Sequence, residues 1–442
     1  MRDNQNMTFQ HNPDKTLRMN KAHILPNLSA AILLMFAFLP YAGSFHSTGA
    51  NAVRLVFAAL FLLAVCRTNR NMLIQMFVVL LLTGISNLFF YRQVWMHFTS
   101  FSNFMNRSLL CWLYALMGLY YSRYGSGQGK RNIERLLLLL LLFTSLTTIL
   151  GSLKDPEAVR STVAGGMEMA DKKIAIAKKN IASWGIIYGM VFTLPAWIYR
   201  YVKTRKKIYL AVICFITAAC MMSQITFAVL FTFAFLFFLV FRLKKKGRII
   251  GLICAMCAAL VPLWAYMDDL CLALSGFFDR MGIRILSMRF YQLYQTFSNG
   301  TLYGTGAARM ELYKSSLKVF LENPLFGFDK AGPLGPERIG LHSQVFDRMG
   351  ATGLLGTVWC VLPFLWMSKM VLSHTTNLEE RYYTGLGIAV FMIFAMVNPT
   401  WNCPGAYFSV FCLPFILMGG EPGGGRKAYE RSGGYNGCSD SL

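Results

Sequence analysis

Long apolar runs alternate with short polar or basic segments along most of the chain. From Ile24 to the C-terminal tail they recur at lengths near or above about 18 residues, enough for a helix to cross a hydrocarbon core of roughly 30 Å. Taken in order they predict about twelve spans, at roughly 24–44, 50–66, 72–90, 103–121, 135–151, 183–199, 208–222, 225–241, 249–267, 349–371, 382–398 and 404–419. The stretch 208–241 admits two readings, one long helix or two short ones meeting near Ser223 and Gln224. Its flanks decide between them: Arg200, Lys203, Arg205, Lys206 and Lys207 precede it, and Arg242, Lys244, Lys245, Lys246 and Arg248 follow it. Basic clusters favour the cytoplasm, so both flanks belong on one side and a hairpin is expected.

With that choice the other basic clusters, Arg67 with Arg70 and then Arg123, Lys130, Arg131 and Arg135, fall on the same side, and both termini are expected in the cytoplasm. The short loops on the opposite face, 44–49 and 398–403, hold no Lys or Arg. Two longer segments, roughly 152–182 and 268–348, are also expected outside, where the charge rule acts weakly on long loops and leaves their basic residues unexplained. The expected organisation is a cytoplasmic segment over 1–23, a transmembrane domain over 24–418 that includes an extracytoplasmic loop over 268–348, and a disordered, glycine-rich cytoplasmic tail over 419–442. The fold class is all-α, a polytopic bundle.

Composition supports this reading. The chain is 55% hydrophobic and 14% charged, against about a quarter charged in soluble domains. Its first 23 residues are polar and basic, and the apolar run after them is too long for a signal sequence, so it is read as an uncleaved first span. A net charge of +23 suggests nucleic acid at first sight, but the basic residues sit between spans rather than on one soluble module, and no nucleic-acid partner is expected. Most of the 11 cysteines fall in or beside apolar runs and are expected to be small buried hydrophobes. Cys254 and Cys257 have the spacing of half a zinc site, without a second pair or a histidine in that span. Asp268, Asp269 and Asp279 are read as solvated rather than metal-binding, so neither metal nor cofactor is expected.

The most informative stretch is 305–356, which begins outside the membrane and runs into a span. Residues 309–322 fit an amphipathic helix, stopped by Pro324, and a Gly/Pro-rich loop then leads to His342 and Ser343. Arg309, Tyr313 four residues on, Asn323-Pro324-Leu325-Phe326-Gly327, His342-Ser343 and Gly353 to Gly356 follow in order. This series resembles the hallmark of the O-antigen ligase and Wzy-type polysaccharide polymerase family. The likeness covers about fifty residues, and the rest agrees in span pattern and in the late outward loop. The chain departs from the family's pattern at Ala308 and Asp329, where glycine is common. It also has Ser223-Gln224 where the family frequently has Ser-Arg at the outer end of a middle span.

The resemblance implies a GT-C-like membrane glycosyltransferase of the bacterial cytoplasmic membrane, acting outside the cytoplasm on a polyprenyl-diphosphate-linked glycan donor. Such a donor carries a good leaving group. The reaction therefore needs a base for the attacking sugar hydroxyl and fixed cations for the departing diphosphate. His342 suits the first role, since histidine titrates near neutral pH, and Arg309 suits the second, its planar fork matching phosphate oxygens. Tyr313, Gln224 and Arg338 are further candidates for binding substrate. Polymerisation of capsular, exopolysaccharide or O-antigen repeat units leads. A ligase passing the glycan to lipid A-core is the alternative, and a transporter or flippase for lipid-linked sugars is the rival from another class. Membrane lipids and a chain-length regulator complete the partners considered.

Overall fold

A computed structural model describes residues 13–44, 48–95, 100–162, 168–242, 266–282, 284–327, 339–375 and 377–418, and the described chain is helical with no strand among those residues. The helices are α1 (Pro13–Phe38), α2 (Pro40–Ser44), α3 (Thr48–Thr68), α4 (Arg70–Phe90), α5 (Phe101–Arg123), α6 (Gly127–Lys154), α7 (Ala158–Ser161), α8 (Glu168–Lys178), α9 (Trp184–Thr204), α10 (Lys207–Ser223) and α11 (Thr226–Arg242). They continue with α12 (Met267–Arg280), α13 (Arg284–Asn299), α14 (Thr305–Glu322), α15 (Gln344–His374), α16 (Leu378–Val397), α17 (Pro404–Phe411) and α18 (Leu413–Leu417). Most of the expected span over 249–267, the tail over 419–442, Arg338, Asp329, Cys254 and Cys257 lie outside the described residues.

Five helical stretches are long and apolar enough to cross a membrane: Asn51–Thr68, Arg70–Val94, Gly127–Lys154, Gln344–His374 and Leu378–Val397. Shorter apolar helices, Lys207–Ser223 and Thr226–Phe237 among them, accompany these five. The chain breaks at Gln224, whose φ of 55° turns it between α10 and α11. Polar side chains mark several starts: Asn69, Ser126, Ser343 and Asn377 each accept a backbone N–H from the first turn of α4, α6, α15 and α16. These contacts supply partners that a helix start otherwise lacks.

Three helices form the centre. Residues 111–121 of α5, 185–199 of α9 and 405–411 of α17 are buried on every side. A helix apolar all round belongs in an interior. α9 and α17 approach closely where Gly189 meets Gly405. A Cβ at Gly189 would stand 3.1 Å from the Gly405 Cα, and Ser409 Oγ donates to Gly189 O at 3.1 Å. The outer helices show apolar faces outward instead, with Phe77 63% and Leu139 66% exposed. Such faces suit lipid rather than water.

The described helices alternate between two ends. At the lower end Asn69 donates to Tyr124 Oη (2.6 Å), Tyr121 Oη donates to Asn27 Oδ1 (3.1 Å), and Arg200 grips both oxygens of Glu134. The turns carrying Arg67, Arg70, Arg123, Lys130 and Lys203–Lys207 gather there. At the upper end Arg107 donates to Asn402 (3.0 Å), Thr147 to Asn180 O (2.7 Å) and Gln344 N to Asn398 O (3.2 Å), so α7, α8 and α14 collect on that side. Three expectations need correction. The span expected over 24–44 is not one helix: it breaks at Leu39, and Pro40, with no N–H to continue α1, opens α2. The run 404–419 is not one helix: Cys412 interrupts it, and Pro414 has no N–H to continue α17. The helix expected over 309–322 begins earlier, at Thr305.

Candidate functional site

At the upper end a small apolar cluster of Phe90, Val94, Phe104, Val319, Ile339, Ala351 and Trp401 seats α14 and the loop after it against the bundle. The loop is then fixed by one buried carboxylate. Asp347 Oδ1 accepts from Ser316 Oγ on α14 at 2.7 Å, and its Oδ2 accepts the backbone N–H of Ser343 at 2.9 Å. Leu341 and His342 also turn backbone N–H groups toward it. Ser316 Oγ receives Gly340 N at 3.0 Å in turn, and Leu341 takes a left-handed φ of 57° to let the chain wrap the carboxylate.

This frame presents His342 at the surface with Nδ1 2.7 Å from Gly340 O. A carbonyl only accepts, so Nδ1 carries the proton in that bond. The neutral ring then keeps its lone pair on Nε2, the form a general base requires.

Arg309 lies on the same helix as Ser316, seven residues earlier, hence two turns away on the same face and about 10 Å along the axis. Its guanidinium sits 5.3 Å over the Phe227 ring, and its Nη1 is buried with no hydrogen-bond partner among the described residues. Tyr313, one turn on, donates from Oη to Val397 O at 3.0 Å and packs its ring on Phe346. Burial raises the Tyr313 pKa, opposed by the neighbouring Arg309.

Two more arginines lie within electrostatic reach of Arg309. Burial lowers the pKa of Arg160 on α7, and the charge of Arg309 lowers it further. Arg289 on α13 is lowered by burial, then by Arg160 and Arg309. Its Nη1 donates to Gln292 Oε1 at 2.9 Å. Tyr188 of α9 lies beside Arg160 and Arg309. Neither Arg160 nor Arg309 makes an ion pair among the described residues. Like charges near one another repel, and an anion placed among them would be attracted.

Gln224 reaches this face differently from a substrate ligand. Its Nε2 donates to Pro156 O at 3.2 Å, four residues before Arg160, while Oε1 is buried without a partner. The Gln thus seats the segment that carries Arg160. That arginine was missed in the sequence because its only signal was membership of the segment 152–182, expected outside, whose basic residues had no assigned task. Arg348, at the start of α15, is 3% exposed: it donates to Ser86 Oγ at 2.7 Å and to Asn87 Oδ1, and lies over Phe90. It ties α15 to α4.

The glycines of the motif serve the backbone. Gly353 breaks α15 at φ 62°, ψ −165°, which frees the N–H groups of Leu354 and Leu355. Pro324 O and Leu325 O accept them at 2.8 and 3.2 Å, so the Asn-Pro-Leu-Phe-Gly turn docks into the break. Gly327, at φ 77°, allows the approach: a Cβ there would stand 2.5 Å from Ala351 O. The described residues include no group of three or more His, Cys, Asp or Glu suited to a metal ion, and Asp268 Oδ1 accepts Asp269 N at the start of α12. No family model matches the chain, and no curated protein matches it.

Proposed function

We propose that this chain is a metal-independent membrane glycosyltransferase of the O-antigen ligase and Wzy-type polymerase kind, joining lipid-linked glycan repeat units outside the cytoplasm. The observation that carries the reading is the convergence of Arg160, Arg289 and Arg309 on the helix that also anchors the His342 loop. The reading includes about twelve spans, a GT-C-like bundle in the bacterial cytoplasmic membrane, and both termini in the cytoplasm. Gathering of the basic turns at the lower end supports that orientation, since positive loops remain inside.

In the proposed reaction a sugar hydroxyl of the acceptor attacks the anomeric carbon of the donor. The new glycosidic C–O bond forms as the C–O bond to the diphosphate breaks, and the electron pair leaves with the diphosphate. The hydroxyl proton passes to His342 Nε2, while Nδ1–H keeps its bond to Gly340 O and steadies the imidazolium. Arg309, with Arg160 and Arg289, stabilises the charge growing on the leaving group, which serves the purpose a metal ion serves elsewhere. Tyr313 holds α14 to the end of α16 and fixes where Arg309 sits.

The test is transfer by purified protein in proteoliposomes supplied with lipid-linked repeat units from the source cells and with lipid A-core, in the presence of a chelator. Longer lipid-linked glycan together with released polyprenyl diphosphate is the expected result. Product on lipid A-core only would make the chain a ligase. Movement of intact lipid-linked glycan across the bilayer, with no new glycosidic bond, would make it a transporter and overturn the proposal.

A further inference from the structure

A cavity of about 20 Å³ lies between α15 and α16, and its lining residues come from both sides of the break at Gly353. Gln344 and Arg348, one helical turn apart, stand before the break; Thr357, Cys360 and Val361 stand after it, and Met392 belongs to α16. Gln344 is 4% exposed and Arg348 is 3% exposed. Each buries one polar atom, Gln344 Oε1 and Arg348 Nε, with no hydrogen-bond partner among the described residues. The other two nitrogens of the guanidinium are engaged with α4: Nη1 donates to Ser86 Oγ at 2.7 Å and Nη2 donates to Asn87 Oδ1.

A buried N–H and a buried carbonyl oxygen each cost about as much as a lost hydrogen bond when nothing pairs them. Here one is a donor and the other an acceptor, and both belong to side chains that line the same small space. A single water needs roughly 10–15 Å³ and about two to four polar partners, and the cavity meets both demands. Thr357 supplies the third partner: its Oγ1 donates to Gly353 O at 2.7 Å, which commits its proton and leaves its lone pairs to accept. A chloride ion would be drawn to the guanidinium but would face the negative end of the Gln344 carbonyl. A hydrocarbon chain would leave both polar atoms unpaired.

We propose that this cavity binds one water molecule, which accepts from Arg348 Nε and donates to Gln344 Oε1 and Thr357 Oγ1. The water then splices the two segments of α15 across the Gly353 break, since Gln344 and Arg348 lie on the first and Thr357 on the second. Ordered water is one of the means by which an interrupted helix within a membrane recovers its hydrogen bonds. The first segment also carries Asp347, the carboxylate that holds Ser316 and the backbone of Ser343, so the bridge ties that anchor to the membrane-crossing part of the helix. The inference stands whether or not the chain transfers sugars.

The experiment measures thermal unfolding of purified full-length protein in neutral detergent, with a cryo-electron microscopy map of the same sample fine enough to show ordered water. Val361→Ile adds one methyl group to the cavity wall. Filling a dry cavity would raise the melting temperature; displacing a bound water should lower it by about 2–4 °C. Gln344→Leu removes one partner of the water and should lower it by a similar amount. In the Gln344→Leu background the added methyl of Val361→Ile should cost little more, because the water is already lost. The map should show density within hydrogen-bond distance of Arg348 Nε and Gln344 Oε1, and exchanging chloride for gluconate at constant ionic strength should leave the melting temperature unchanged. A higher melting temperature in Val361→Ile, an equal loss from it in both backgrounds, a map with both side chains ordered and no density between them, or a loss of stability on removing chloride would each overturn the proposal.

Discussion

Gly353→Ala tests whether the Asn-Pro-Leu-Phe-Gly turn and α15 form a single interlocked unit. The backbone at Gly353, φ 62° and ψ −165°, lies in a region that only glycine enters readily, and a side chain there costs about 1–3 kcal/mol. The added Cβ would also stand 2.5 Å from Leu325 C and O, backbone atoms that cannot rotate aside. Forcing them apart adds about 1–3 kcal/mol of overpacking. The movement pulls on the Leu354 N to Pro324 O and Leu355 N to Leu325 O bonds, each worth about 1 kcal/mol. A loss of about 4 kcal/mol is therefore expected. Gly385→Ala is the control: it lies inside α16, its nearest neighbour would be a Leu372 methyl at 3.9 Å, and alanine should be neutral or stabilising by up to about 1 kcal/mol. Thermal unfolding of both variants in the same detergent makes the comparison. Equal melting temperatures would refute the interlock.

Other expectations follow from the same geometry. Asp347→Asn keeps one acceptor but turns an amide NH2 toward an N–H or O–H donor, so it should cost about 1–3 kcal/mol and lower turnover more than it lowers folded protein; unchanged stability and turnover would remove Asp347 from the His342 frame. Arg309→Lys should transfer poorly because a point charge does not replace a planar fork, and Arg160→Gln should weaken donor use in the same assay; normal donor use in Arg160→Gln would separate it from the site. A cysteine at Asn299 should react with an impermeant thiol reagent on intact cells and one at Lys206 should not, with the reverse pattern inverting the orientation.

Much of the helix pattern was legible because long apolar runs and basic turns are local signals. The break at Ser223 and Gln224 could be read from its charged flanks, and the helix bearing Arg309 from its periodicity and from Pro324. The arginine cluster was not legible, since Arg160 and Arg309 are joined only by the packing of α7, α11 and α14. Asp347 carries no signal of its role in the sequence, since its bond to Ser316 depends on a chain reversal between them. The burial of Arg348 was not legible either, because nothing near it in the chain announces Ser86 and Asn87. Gly353 could be placed in the motif, but the break in α15 becomes visible only with the turn that fills it.

The most direct test of glycosyl transfer at this site is the turnover of His342→Ala, measured in proteoliposomes with lipid-linked repeat units at matched protein levels and with donor binding measured alongside. The account predicts donor binding close to that of the unaltered protein and a rate lower by about 10²- to 10⁴-fold, the range for loss of a general base. A near-normal rate would contradict it, and would leave His342 as a residue that only orders its loop.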